Sequence, residues 1–202
     1  MRGRFITFEG IDGAGKSTHL DWFGDQLKAR GIPVVCSREP GGSDLAEELR
    51  ELLLQRPMSL ETELLLVFAA RRDHLERTIR PALVRGEWVL CDRFTDSTYA
   101  YQGGGRGAPS EQIATLESWV HPGLKPDRTY LFHVDPAIAA ARRTPARAAD
   151  RFESEDDAFF GRVADAYARR VASDPERFVV IDGTMSVIAI RKLLEKDLAD
   201  YC

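Results

Sequence analysis

The run Gly10-Ile11-Asp12-Gly13-Ala14-Gly15-Lys16-Ser17, followed by Thr18, constrains this chain more than any other stretch. It has the spacing G-x-x-x-x-G-K-[ST], which works only where a strand passes through a tight turn into a helix. The flanks supply both. Phe5-Ile6-Thr7-Phe8 is an aromatic and β-branched run that reads as a buried first strand, and Leu20, Phe23 and Leu27 continue at helical spacing up to Gly31. Glycines at 10, 13 and 15 let the backbone curl and aim N–H groups at an anion on a helix N-terminus. Lys16 then supplies a point charge for the β- and γ-phosphates of a nucleoside triphosphate, and the Ser17 hydroxyl a ligand for Mg²⁺.

The rest of the 202 residues repeats the alternation of strand and helix. Ile32 to Ser37 reads as a second strand, ending in Arg38-Glu39-Pro40-Gly41-Gly42, which suits neither a helix nor a central strand. Ser43 or Asp44 caps a helix carrying Leu45, Leu49, Leu52 and Leu53, and Pro57 closes it. From Ser59 a further helix runs through Leu64 to Ala70, apolar nearly all round and so expected to be buried, to the basic pair Arg71-Arg72. Trp88 to Cys91 is a third strand and Thr129 to Val134 a fourth, with a helix over Ser110–Val120 between them. Helix from Ala137 gives way to Arg142-Arg143-Thr144-Pro145-Ala146-Arg147, read as a mobile basic loop. A helix over Asp156–Ala172, a fifth strand Phe178–Ile181 and a closing helix Ile188–Leu198 complete the chain. Strands alternating with helices predict an α/β fold: a P-loop NTPase-type three-layer α/β/α sandwich around a five-stranded parallel sheet, in a single domain.

Composition narrows the function. A formal net charge of −4 argues against bulk nucleic-acid binding, and no apolar run approaches the roughly 20 residues of a membrane span. No N-terminal signal pattern is evident, so the expected compartment is the cytoplasm. Cys36, Cys91 and Cys202 show no metal spacing; the first two, at strand ends, are expected to be buried free thiols.

Two further constellations carry chemistry. An apolar strand ending in aspartate, as at Asp92, can hold Mg²⁺ from the side facing the phosphate loop, and Arg93 follows it into the crevice above the sheet. Arg38, Arg71, Arg72, Arg147 and Arg151 join Arg93 as candidate phosphate clamps. No Asn-Lys-x-Asp segment follows a later strand, which speaks against a guanine-reading switch protein. Two readings remain: a kinase for a nucleoside monophosphate or other small acceptor, or a nucleotide-sensing module without transfer.

The chain resembles bacterial thymidylate kinases in Phe8-Glu9-Gly10 through Thr18, in Arg38-Glu39-Pro40-Gly41-Gly42, in Phe68-Ala69-Ala70-Arg71, in Asp92-Arg93-Phe94 and in Ala100-Tyr101-Gln102-Gly103. The likeness covers nearly the whole chain in order. It implies transfer of the γ-phosphoryl of ATP to thymidine monophosphate, in line and with Mg²⁺, by a protein that is typically a homodimer. By the same resemblance ATP lies on Gly10 to Thr18, with Arg143 and Arg151 of a lid at about 142–153, and Lys16, Arg93 and Arg147 are catalytic. Asp12 would bond the sugar 3′-hydroxyl, Arg93 the acceptor phosphate, and Arg38 and Glu39 would order that end of the site. Arg71, Ser97, Thr98 and Gln102 would read the base, Phe68 would stack on it, and Tyr101 would crowd the 2′ position. Val67 stands where many relatives carry the stacking phenylalanine, and Phe68 is one position later. Asp150 and Glu153 resemble positions near the nucleoside and the metal, joining Ser17 and Asp92. With Gly13 where one branch carries a catalytic arginine, the chain resembles the branch that places this arginine in the lid.

Overall fold

The computed structural model describes residues 2–142, 151–152 and 154–201, the side chains of residues 200 and 201 excepted. In chain order these form β1 (Phe5–Glu9), α1 (Lys16–Ala29), β2 (Val34–Arg38), α2 (Asp44–Gln55) and α3 (Leu60–His74). A π-helical turn (Leu75–Ile79) runs on into α4 (Arg80–Val84), and β3 (Trp88–Asp92), α5 (Thr95–Thr98) and a second π-helical stretch (Tyr99–Gly105) follow. The remainder is α6 (Ser110–Val120), β4 (Arg128–His133), α7 (Pro136–Arg142), α8 (Asp157–Ser173), β5 (Phe178–Asp182) and α9 (Val187–Tyr201).

The five strands form one sheet in the order β2-β3-β1-β4-β5, and every pairing is parallel. β1 is central and wholly buried, and its alternation serves both faces. Ile6 and Phe8 pack with Leu20, Phe23 and Leu27 of α1 and with Ile190, Leu194 and Leu198 of α9. Phe5 packs with Leu64 and Phe68 of α3, Val89 and Cys91 of β3, and Ile113 of α6. The sheet is therefore sandwiched between helices, as the alternation predicts.

Because β3 lies on one side of β1 and β4 on the other, the strand order reverses at β1, and the crevice opens at the C-terminal ends there. Register sets the fittings: Phe8 and Arg38 both pair with Asp92, so the ends of β1, β2 and β3 finish level.

The structure departs from the sequence reading in places. The stretch Tyr99–Gly105, to which no element was assigned from the sequence, coils into the second π-helical stretch against α8. A Cβ on Gly104 would meet the Ala166 Cβ at 2.6 Å, so only glycine permits that approach. Cys91 is buried as expected, but Cys36 is exposed, because β2 is an edge strand with one open face. α3 is buried at Leu64, Val67, Phe68 and Ala70, while Leu65 is 56% exposed. Among the described residues no helix is long and apolar enough to cross a membrane.

Candidate active site

The phosphate loop leaves β1 and enters α1 through left-handed glycines. Gly13, at φ 90°, shows why the position tolerates nothing larger: a Cβ there would sit 2.2 Å from the Ala139 carbonyl oxygen of α7. Lys16 is buried; its Nζ donates to the Ile11 carbonyl at 3.1 Å and lies 3.8 Å from Asp12 and 4.0 Å from Asp92. Burial and the nearby Arg93 lower its pKa, and Asp92 and Asp12 oppose them. The Ser17 hydroxyl stands 3.4 Å from Asp92 Oδ2, and Asp92 Oδ1 is buried with no hydrogen-bond partner. Among the described residues no group of three or more His, Cys, Asp or Glu side chains could hold a metal by itself.

Arg93 begins the acceptor side. It is the one non-glycine among the described residues with a left-handed backbone, at φ 72°, a conformation that must be held by its surroundings. Its Nη2 donates to Asp12 at 2.9 Å and to the Tyr101 hydroxyl at 3.2 Å, while Nη1 reaches Ser97 at 3.2 Å. The next residue is pinned as well, since the Phe94 amide donates to Glu9 at 2.7 Å. Burial works against ionisation of Asp12, yet Arg93 and then Lys16 hold its carboxyl well below the usual carboxylate range.

Behind Arg93 a cleft runs between α2 and α3, with Leu53, Leu54, Val67, Phe94 and Phe152 as apolar wall. Such a space suits a small ligand held by a few polar groups. Arg71, only 2% exposed, crosses its inner end. Its Nε donates to Glu39 at 2.7 Å and its Nη2 to Thr98 at 2.9 Å, and the guanidinium lies 4.9 Å from the Phe68 ring and 5.0 Å from that of Phe94. Its Nη1 is buried and unpartnered, an arrangement that costs stability unless a ligand acceptor meets it. Glu39 is itself clamped: His74 Nδ1 is 3.1 Å from its second oxygen, and His74 Nε2 is 2.7 Å from Ser37. Burial would raise the Glu39 pKa, but Arg71 and His74 bring it down.

Asp12, Glu39, Arg71, Arg93, Ser97, Thr98, Tyr101 and Gln102 all line this one cleft, as the sequence expectation requires. Phe68 does not. Val67 and Arg71, four apart, share the helix face that looks into the cleft, whereas Phe68 is turned into the core beneath Arg71. Arg38 also stands outside it, ion-paired with Glu47 at 2.9 Å beside the cavity that holds Ser17 and Asp92. Arg151, expected on ATP, instead donates to the Leu53 carbonyl at 3.0 Å and to Glu63 at 2.6 Å. Arg143, Arg147, Asp150 and Glu153 lie outside the described residues. Sequence reasoning missed Arg50, Phe152, Glu9 and Tyr167. Arg50 shares a face of α2 with Leu53 and Leu54, so its place in the cleft could have been read from helical spacing.

Residues 8–193 match the family described as Thymidylate kinase. This chain belongs to that family. Thymidylate kinase of Cupriavidus necator is 60% identical over 201 residues, covering 98% of this chain and 99% of its own. Thymidylate kinase of Burkholderia vietnamiensis is 58% identical over 202 residues, covering 98% of each. Among solved structures, the thymidylate kinase from Ehrlichia chaffeensis matches with a TM-score of 0.77 at 34% identity, across 96% of this chain and 99% of that one. As a member of the thymidylate kinase family, the chain is a nucleotide-binding phosphotransferase.

Proposed function

We propose that the chain transfers the γ-phosphoryl group of ATP to thymidine monophosphate, giving ADP and thymidine diphosphate. The observation that carries this reading is one cleft lined by Asp12 and Arg93, beside the buried Lys16 that ion-pairs with Asp12, and by Arg71 with its unpartnered Nη1. Arginine at a phosphate and an N–H donor at a carbonyl-bearing neutral base are what a nucleoside monophosphate requires.

The acceptor phosphate lies on Arg93, which Asp12 and Tyr101 hold in place. One of its oxygens attacks the γ-phosphorus in line as the β–γ bridging bond breaks, and ADP departs with the bridging oxygen. Lys16 and Arg93 absorb the charge that spreads over the transferring group, so positioning and electrostatics supply the rate. Asp12 meets the sugar 3′-hydroxyl, Tyr101 disfavours a 2′-hydroxyl, and Arg71, Thr98 and Gln102 face the base. The Ser97 hydroxyl is engaged by Glu9 at 2.5 Å and serves to brace this end of the site.

Mg²⁺ fits the donor end. The partnerless Asp92 Oδ1 and the Ser17 hydroxyl are hard oxygen donors, and the ATP phosphates complete a coordination shell that the protein does not fill alone. When bound, the ion neutralises charge between the β- and γ-phosphates. The proposal includes a lid at about 142–153 with Arg147 as its catalytic arginine. Glu153 joins the metal end, and Asp150 the nucleoside.

Supplying ATP, Mg²⁺ and each nucleoside monophosphate in turn, and measuring ADP with the matching diphosphate, tests the reading. Preference for thymidine monophosphate supports it; transfer to another monophosphate instead replaces the acceptor, and nucleotide binding with no transfer leaves a sensor. We further propose that the chain works in the cytoplasm as a homodimer. Leu65 of α3, Trp119 of α6, and Leu45 and Leu52 of α2 are exposed apolar side chains on helices that pack on one another, and they are the candidates to meet a second copy.

A further inference from the structure

Glu63 lies in the first turn of α3 and is 1% exposed, so its charge must be met by protein groups. Three groups from two other parts of the chain meet it. Gln102 Nε2 donates at 2.8 Å, Arg151 Nη2 donates at 2.6 Å, and Arg106 Nε stands 3.1 Å away as an ion pair outside hydrogen-bond alignment. The two guanidiniums also lie over one ring, 5.1 Å and 4.9 Å from the centroid of Phe152, which lines the cleft edge-on to Tyr101. Gln102 and Phe152 both line the cleft, so the groups around this buried carboxylate reach its wall.

We propose that Glu63 sets acceptor specificity by fixing the polarity of the Gln102 amide. A carboxylate accepts hydrogen bonds and donates none, and it is the Gln102 amide nitrogen that meets it, so the NH₂ is turned toward Glu63. The amide carbonyl oxygen is then the atom Gln102 has left to offer the cleft as an acceptor, and Arg71, which lines the same cleft, offers Nη1 as a donor. A ring N–H next to a carbonyl, as in thymine or uracil, complements that pair. Cytosine presents a ring acceptor next to an amino donor and meets it with both polarities wrong. Arg106 and Arg151 pair with the same carboxylate and lie over the Phe152 ring. Glu63 touches no substrate; it is a positioning residue that acts through Gln102. The inference rests on the reading of the cleft as a nucleoside monophosphate site.

The test is the ratio of kcat/KM for thymidine monophosphate to that for deoxycytidine monophosphate. Glu63→Gln supplies an amide that can pair with Gln102 in either orientation. It is expected to cut the ratio about tenfold or more, in keeping with the loss of a charged hydrogen bond, while the KM for ATP stays within about twofold. Glu63→Asp keeps an acceptor-only side chain and preserves the ratio even if it raises both KM values. In a Gln102→Leu background, where the amide is gone, Glu63→Gln changes the ratio no further. A ratio unmoved by Glu63→Gln, or lost in Glu63→Asp as well, overturns the role of Glu63; if Glu63→Gln does not fold, the Asp variant decides. A wild-type chain with no preference between the two monophosphates overturns the reading of the acceptor instead.

Discussion

Glu9 sits well away from its ordinary chemistry. It is fully buried and takes bonds from the Phe94 amide, Ser97 and the Tyr167 hydroxyl. Burial first, and then the neighbouring Asp96 carboxylate, push its pKa up to about 7. The native state therefore keeps a proton that the unfolded chain gives up near the usual glutamate value. The stability gained is fully present below about pH 4.5 and is lost as pH rises through about 7, at about 1.4 kcal/mol per pH unit. Glu9→Gln, neutral at every pH, should flatten that part of the profile, and Tm measured from about pH 5 to about pH 8 checks it. In the proposed lid, Arg147→Ala is expected to lower kcat at least tenfold with little change in the acceptor KM. Steady-state kinetics check it, and a change confined to that KM would move the catalytic role to Arg143 or Arg151. Lys16, Ser17, Asp92 and Arg93 were legible in the sequence because each occupies a set distance from a strand end. Glu9 and Glu63 were not, since burial and partners far along the chain define them.

At the scale of elements, the strands and long helices were readable to within a few residues, because period-2 and period-3.6 patterns survive when both faces of a sheet are covered. The exception is instructive. Tyr99–Gly105 has no apolar period, and its shape is dictated by α8, with Gly105 against the Phe159 ring at 2.4 Å for an added Cβ and Gly104 against Ala166. Gly104→Ala should force α8 outward and cost about 1–3 kcal/mol, seen as a Tm several degrees lower. Tyr101 and Gln102 belong to the same stretch, so acceptor KM should rise with the loss of stability. α3 teaches the same lesson about faces. Its sequence looks uniformly apolar, yet only three-dimensional packing separates Val67 in the cleft, Phe68 in the core and Leu65 outside.

For the whole molecule, the apolar outer side of α2, α3 and α6 bears on assembly. Trp119 is 76% exposed, and together with Leu65 it is a large apolar area to leave in water. Leu65→Glu should convert a homodimer to monomers in sedimentation velocity while the single chain stays folded; a wild-type monomer would end the proposal. The α/β class was legible from strand–helix alternation, whereas the strand order was not, because periodicity carries no record of which strands become neighbours.

That order also has a history in time. β1 leaves the ribosome first but is flanked by β3 and β4, and its pairing with β4 begins only at Arg128. At the ordinary ~5–20 residues per second, the stretch from Glu9 to Arg128 takes on the order of ten seconds to emerge. Until β3 emerges from Trp88 both edges of this aromatic strand are open, and one stays open until β4 follows. Residues Ile190, Leu194 and Leu198, which seal the same core, come last of all. Each newly made copy therefore passes through a sticky adolescence set by topology, and the pace of synthesis, with whatever shelters the nascent chain, governs how many copies mature.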